Sequence, residues 1–172
     1  MATVYSTAYN SIYQAVPSSL ARANEIGGRV RVAYGVYEAS SLASGDVINM
    51  FRLPQGARII EGSLSHDALG SSTTLAVGHA AYTNSGGTAV GADGTHFKAA
   101  AASTSATGSV AVANTLALGK FELVDLDQEV KDNGFDVTVS MGGAAGTGTI
   151  ALVMYYVVCL LYTSDAADDS GC

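Results

Sequence analysis

The sequence predicts an all-β chain, an antiparallel β-sandwich or jelly roll of about eight strands with an extended N-terminal arm. Three observations lead there. Short stretches of alternating apolar and polar residues recur along the chain, separated by Gly, Pro, Asn and Asp clusters. Small residues dominate, charged residues make up only 13%, and there is no tryptophan. The length, 172 residues, suits a single domain, and a chain of roughly 150 residues buries about 68–70% of the surface it exposes unfolded, enough for one proper core.

The elements follow in order. In residues 1–28, Tyr5, Tyr9, Ile12, Tyr13 and Val16 sit at the spacing of a helical stripe. Ser, Thr and Asn fill the gaps and Pro17 interrupts the pattern, so the segment reads as an extended arm carrying tyrosine contacts, with a short helix as the alternative. Arg29 to Glu38, RVRVAYGVYE, has the period of a half-buried strand: Val30, Val32, Tyr34 and Val36 point one way, and Arg29, Arg31, Ala33, Gly35 and Tyr37 the other. Asp46 to Leu53 is a second strand, closed by the turn residues Pro54-Gln55-Gly56. Ala57 to Ser65 and Thr73 to Val77 are two more.

Ala80 to Gly94 reads as a long loop, and Thr95 to Ala102, with Lys98 among alanines, as a short helix. Ser109 to Ala113 is a weak strand candidate and Gly119 to Val124 a better one. Asp125 to Gly134 is an acidic connection ending in a turn-forming Asn-Gly. Phe135 to Met141 alternates again. Gly142 to Gly146 then leads into Thr147 to Val158, and the two strands with their Gly-rich link read as a hairpin. The last strand is apolar on both faces, which places it centrally or at an interface.

Composition excludes several functions. Fifteen acidic residues face eight basic ones, giving a formal charge of −7 with no basic cluster. A footprint for phosphate backbones is missing, so no nucleic-acid partner is expected. The apolar run Ile150 to Tyr162 is thirteen residues, short of the ~20 a membrane-spanning helix needs, so no membrane partner is expected either. No basic and apolar leader opens the chain.

Candidate chemistry is sparse. His66-Asp67 resembles a base with an orienting carboxylate, but strand neighbours point to opposite faces, so no catalytic residue is assigned. His79 and His96 share no metal-ligand spacing with each other or with His66, and no zinc site is expected. Asp125, Asp127 and Glu129 alternate like calcium-loop ligands yet lack the glycine and closing glutamate of an EF-hand, so a solvated acidic loop is expected. Gly142 to Gly148, GGAAGTG, is followed by β-branched and aromatic residues and not by a helix that would hold a phosphate. No cofactor is expected. The profile is that of a non-enzymatic β-domain that packs against other proteins.

Two stretches carry a likeness to a known group. Ala23 to Leu75 contains Gly28-Arg29-Val30-Arg31-Val32, an Ala-Ser-Gly-Asp46 strand entry, Leu53-Pro54-Gln55-Gly56-Ala57-Arg58 and Asp67-Ala68-Leu69-Gly70-Ser71-Ser72-Thr73-Thr74; Asp136 to Val157 contains Gly-Thr147-Gly-Thr149. Together they resemble small head-decoration or capsid-cement proteins of tailed phages, marine phages especially. The resemblance implies a jelly roll of residues 29–158 sitting on the capsid surface of a virion. It implies the major capsid protein shell as partner and a homo-oligomer, dimer or trimer. Tyr5, Tyr9 and Tyr13 would anchor the arm or cover the domain's own edge strand, and Arg29 and Arg31 would pair with acidic groups of the shell or of the same fold. A tail or head–tail connector component and a carbohydrate-binding jelly roll are the alternatives.

Cys159 to Asp169, CLLYTSDAADD, resembles the conceptual translation of a transposase-type sequencing adapter. That implies a natural chain legible only to about Val158, with residues 159–172 an artefact tail. Both cysteines, Cys159 and Cys172, then drop out of consideration. Charge through Val158 becomes 8 − 12 = −4, and the apolar run shortens to nine residues, a strand length.

Overall fold

The computed structural model describes residues 6–17 and 26–158. Tyr5, both cysteines and the adapter-like stretch lie outside the described residues. Ten strands follow one another: β1 Val30–Leu42, β2 Val47–Leu53, β3 Ala57–His66, β4 Thr73–His79, β5 Tyr82–Thr83, β6 Ala89–Val90, β7 Asp93–Ala102, β8 Thr107–Val112, β9 Phe135–Gly143 and β10 Gly146–Val158. Eight of them form two four-stranded antiparallel sheets. The first runs β1-β10-β3-β8 and the second β2-β9-β4-β7. The chain alternates between sheets from β1 to β4, stays in the second sheet for β7, and then alternates again to β10. That winding is a jelly roll.

The core lies between the sheets. From the first sheet come Ile59, Leu64, Ile150, Leu152 and Met154; from the second come Leu53, Leu75, Val77, Phe97, Phe135, Val137, Val139 and Met141. Alternation decides most of this: along β9 the inward residues are Phe135, Val137, Val139 and Met141, as the period-two pattern requires. On β2 a register shift between Asn49 and Phe51 changes the phase, so Ile48 and Leu53 are both buried although they lie on opposite parities.

β10 sits between β1 and β3, pairing Leu152 with Gly35 on one side and with Leu64 on the other. This is the central position expected of a strand apolar on both faces. β1 is half-buried, as its alternation predicts, and its inward side is the one with small residues. Ala33 and Gly35 are partly covered and Ala39 is buried, while Val30, Val32, Tyr34 and Val36 face solvent.

Four expectations need correction. Residues 95–102 are strand, not helix: Val77 pairs with Lys98 and Leu75 with Ala101. Alanine's helix preference is worth only tenths of a kcal/mol per residue, less than ladder pairing and the full burial of Phe97. β9 and β10 are not a hairpin, because they belong to different sheets and the Gly-rich link carries the chain across the sandwich. A glycine is needed there: Gly143 has a φ of +78°, and a Cβ on it would collide with the Ser72 main-chain oxygen.

Residues 119–124 form no regular strand. They contribute one isolated bridge, Arg58 with Leu123, and main-chain bonds that extend the outer edge of β3 beyond the end of β8. Last, Thr7–Tyr9 and Asn10–Gln14 are helical, the first a turn of α-helix and the second of π-helix. The Ser6 hydroxyl accepts the Tyr9 N–H at 3.2 Å, a cap that favours helix over an extended chain. The 80–94 loop also gains order, since β5 and β6 pair around Asn84, whose side-chain oxygen accepts the N–H groups of Gly86 and Thr88.

Candidate partner-binding surface

In the arm, the helical turn brings Tyr9 and Tyr13 together. Their ring centroids are 5.0 Å apart, and Tyr13 is 67% exposed. Spacing of four residues on a helix puts both rings on one face. Arg29 and Arg31 are exposed at the start of β1 and make no ion pair among the described residues. The intramolecular pairing considered for them is therefore not what the described residues show.

Beside these lies a surface that the periodicity alone did not assign. The outward face of β1 carries Val30 at 62% exposure, Val32 at 57%, Tyr34 at 71% and Val36 at 58%, and β10 adds Tyr155 at 41%. The register sets them in rows: Val30 beside Val157, Val32 beside Tyr155, Tyr34 beside Val153, Val36 beside Ala151. The next strand turns polar, with Glu61 beside Tyr155, Ser63 beside Val153 and Ser65 beside Ala151. An apolar stripe two strands wide is thus rimmed by polar groups. One signal in the sequence pointed to it: a glycine within a strand marks the side where another backbone approaches closely, and Gly35 lies on the side opposite Tyr34.

The other candidates serve the fold. The buried His66 ring bonds through Nδ1 to the Asp67 main-chain oxygen at 2.8 Å, not to the carboxylate. That carboxylate accepts the Thr149 N–H at 2.9 Å, which holds its pKa below the ordinary value. His79 and His96, far apart in sequence, meet with ring centroids 5.0 Å apart. His79 is buried beside Phe135 and Tyr82, and His96 Nε2 lies 2.5 Å from Glu122 Oε2. Asp125 accepts from Gln55 and Ser85, whereas Asp127 accepts the Glu129 N–H, so Asp125 and Asp127 have separate partners. Lys98 is buried, and loss of water pushes its pKa down. Among the described residues no three His, Cys, Asp or Glu side chains converge to hold a metal ion.

The sequence matches no family model and no curated protein. The fold does have solved relatives. It is similar to a chain of the cyanophage Pam1 capsid asymmetric unit, with a TM-score of 0.54 and 20% identity over 77% of this chain and 87% of that one. It is also similar to a chain of the capsid of Ralstonia phage GP4, with a TM-score of 0.54 and 25% identity over 76% of this chain and 85% of that one. The jelly roll described above is therefore an architecture that phage capsids also use.

Proposed function

We propose that this chain is a non-enzymatic structural component of a tailed-phage virion that decorates or cements the capsid surface. The observation that carries the reading is the similarity to the chain of the Ralstonia phage GP4 capsid, 25% identical over 85% of that chain. Two features of the molecule support it. His66, Asp67, His96, Glu122 and Asp125 are spent on internal bonds, and among the described residues no three His, Cys, Asp or Glu side chains converge on a metal site. An apolar stripe, the Tyr13 ring and two arginines that make no ion pair among the described residues all lie on the outside.

A cement protein ties neighbouring shell subunits together against internal pressure. A rigid sandwich supplies a stable body, and an arm adds contact area without a second core. Repetition over the lattice turns modest single contacts into durable attachment. Tyr9 and Tyr13, with Arg29 and Arg31, form the shell-facing part, because tyrosine and arginine dominate binding hot spots.

The test is binding of the full-length chain to undecorated shells assembled from the major capsid protein of the same phage, followed by cryo-electron microscopy. Wild type decorates the shell. Tyr9→Ala/Tyr13→Ala keeps its melting temperature and loses at least tenfold in shell affinity. Wild type that ignores shells, or that localises to the tail, overturns the reading.

A further inference from the structure

We propose that the outward β1–β10 face is the seat of this chain's own N-terminal arm: in the free protein the helical turns Thr7–Tyr9 and Asn10–Gln14 exchange between the open form of the structure and a docked form lying across the Val30–Val36 stripe. The inference concerns the chain before it meets a partner, goes beyond capsid attachment and does not depend on it.

Val30, Val32, Tyr34 and Val36 leave an apolar patch open to water, the kind of surface that marks an interaction site. Its chemistry selects the cover. The rows from Val30 to Val36 hold no charge on β1 or β10, and Arg29 and Arg31 point to the other side of β1. Charges enter only on β3, with Glu61 beside Tyr155 and Arg58 beside Val157. A cover with fixed charges would strand them against valine. The fitting cover is neutral and aromatic, with hydroxyl and amide groups at its edge to meet the polar rim.

The arm has that chemistry. From Met1 to Ala21 the sequence contains no charged side chain. The helical turns set Tyr9 and Tyr13 on one face, and Tyr13 and Val16 are 67% and 98% exposed. Docking Tyr13 and Val16 on the stripe removes apolar surface from water on both sides of the contact. The Tyr13 hydroxyl and the Asn10 and Gln14 amides supply the neutral polar edge.

Dimensions and tether agree with the seat. A helix is about 10–12 Å across, the width of two strands about 4.8 Å apart with their flanks. The helical turns run about 12 Å and the Val30–Val36 stripe about 20 Å. Ile26 and Gly27 form a turn just ahead of β1, with Gly27 at a φ of +85°, so the arm can run back over the strand it leads into. Residues 15–29 join the helical turns to β1 and reach at most ~50 Å, ample for the stripe. Two surfaces held in one chain meet at an effective concentration in the millimolar range. A contact too weak to hold a separate molecule at micromolar concentration therefore suffices to close the arm, which favours this occupant over any free one of equal chemistry.

Timed chymotrypsin digestion of the full-length chain, read by mass spectrometry, tests this. Docking shields the bond after Tyr13, and cleavage tracks the open fraction when opening is fast. Tyr34→Lys/Val36→Lys, at two solvent-facing positions, is expected to speed cleavage after Tyr13 about fivefold, with unchanged circular dichroism and melting within a few degrees of wild type. Tyr34→Ser is the milder variant should the double substitution disturb folding, with a smaller acceleration in the same direction. Methyl NMR gives the reciprocal view. Tyr13→Ser is expected to shift the Val32 and Val36 methyls equally at low and high protein concentration, and to leave Val47, exposed on β2, in place. Equal cleavage of wild type and the face variants, unmoved Val32 methyls, or shifts that grow with protein concentration, as a second copy on the face would give, overturns the proposal.

Discussion

Gly35 lies so close to Met50 that a Cβ built on it would come within 2.6 Å of the Met50 carbonyl oxygen. This is the corner where β1, at the edge of one sheet, closes onto β2, at the edge of the other. The close approach uses the Ala33–Gly35 side of β1 and turns the valine and tyrosine side outward. Gly35→Val therefore pushes the two edges apart. Overpacking of this kind costs about 1–3 kcal/mol, which lowers the melting temperature by several degrees in a domain of this size. Tyr34→Ser, one residue away, stays within about 0.5 kcal/mol in the monomer because its side chain faces water. Urea denaturation of both variants checks the contrast, and a larger loss for Tyr34→Ser would mean that the strand faces the other way.

That corner also marks where the sequence stopped being readable. Alternation identified β1, β2, β3, β4, β9 and β10, because each has one face on the core or, for β10, two apolar faces. It does not say which sheet a strand joins. Phe135–Gly143 and Gly146–Val158 are separated by two residues, yet pair with β4 and β3 respectively, a partnership fixed by contacts made far along the chain. β7 was misread because four alanines in a row carry no period, and their helical preference is weak beside the β4 ladder. At the candidate surface, Tyr9, Tyr13, Arg29 and Arg31 stood out as residue types. The β1–β10 stripe did not, since a run such as Val30-x-Val32-x-Tyr34-x-Val36 has the same spelling whether it faces a core or a partner.

Gly78 gives a sharper steric test. A Cβ there would collide with the Asp93 main-chain oxygen, at a register irregularity between β4 and β7. Backbone cannot step aside as a flexible side chain can. Gly78→Ala must unpair the start of β7 and disturb the buried His79 next to it. Loss of more than about 3 kcal/mol, or failure to fold, is expected. A soluble Gly78→Ala protein with wild-type melting would contradict the close approach.

The His96–Glu122 contact ties β7 to the segment that extends the edge of β3. Phe121, Glu122 and Val124 exchange main-chain bonds with Ile59 and Ala57, and the 2.5 Å side-chain contact pins them from the other sheet. Glu122→Ala removes the pin. About 1 kcal/mol of stability should go, with faster amide exchange concentrated at Phe121 and Val124. Uniformly faster exchange across β9 and β10 would show that the contact supports the whole sandwich and not this segment.

Asp67 supplies a pH signature. It closes the end of β3 against β10 twice, donating its main-chain N–H to the Thr149 oxygen at 3.0 Å and accepting the Thr149 N–H on its carboxylate. The bonds from Thr149 favour the ionised form and hold the carboxyl below its ordinary value of 3.8. A carboxyl with a lower pKa folded than unfolded stabilises the fold fully above the unfolded value and ceases to do so as pH falls through the folded one. Asp67→Asn cannot ionise, so it lacks this contribution at every pH. Wild type should be the more stable at neutral pH, with a constant margin down to about pH 5 that shrinks steadily below it. The other carboxylates titrate in both proteins and cancel in the difference. Denaturant melts of the pair from neutral to acid pH measure the margin directly, and a gap that stays constant into strong acid would mean that the Thr149 bond does not distinguish the charged carboxylate from the neutral amide.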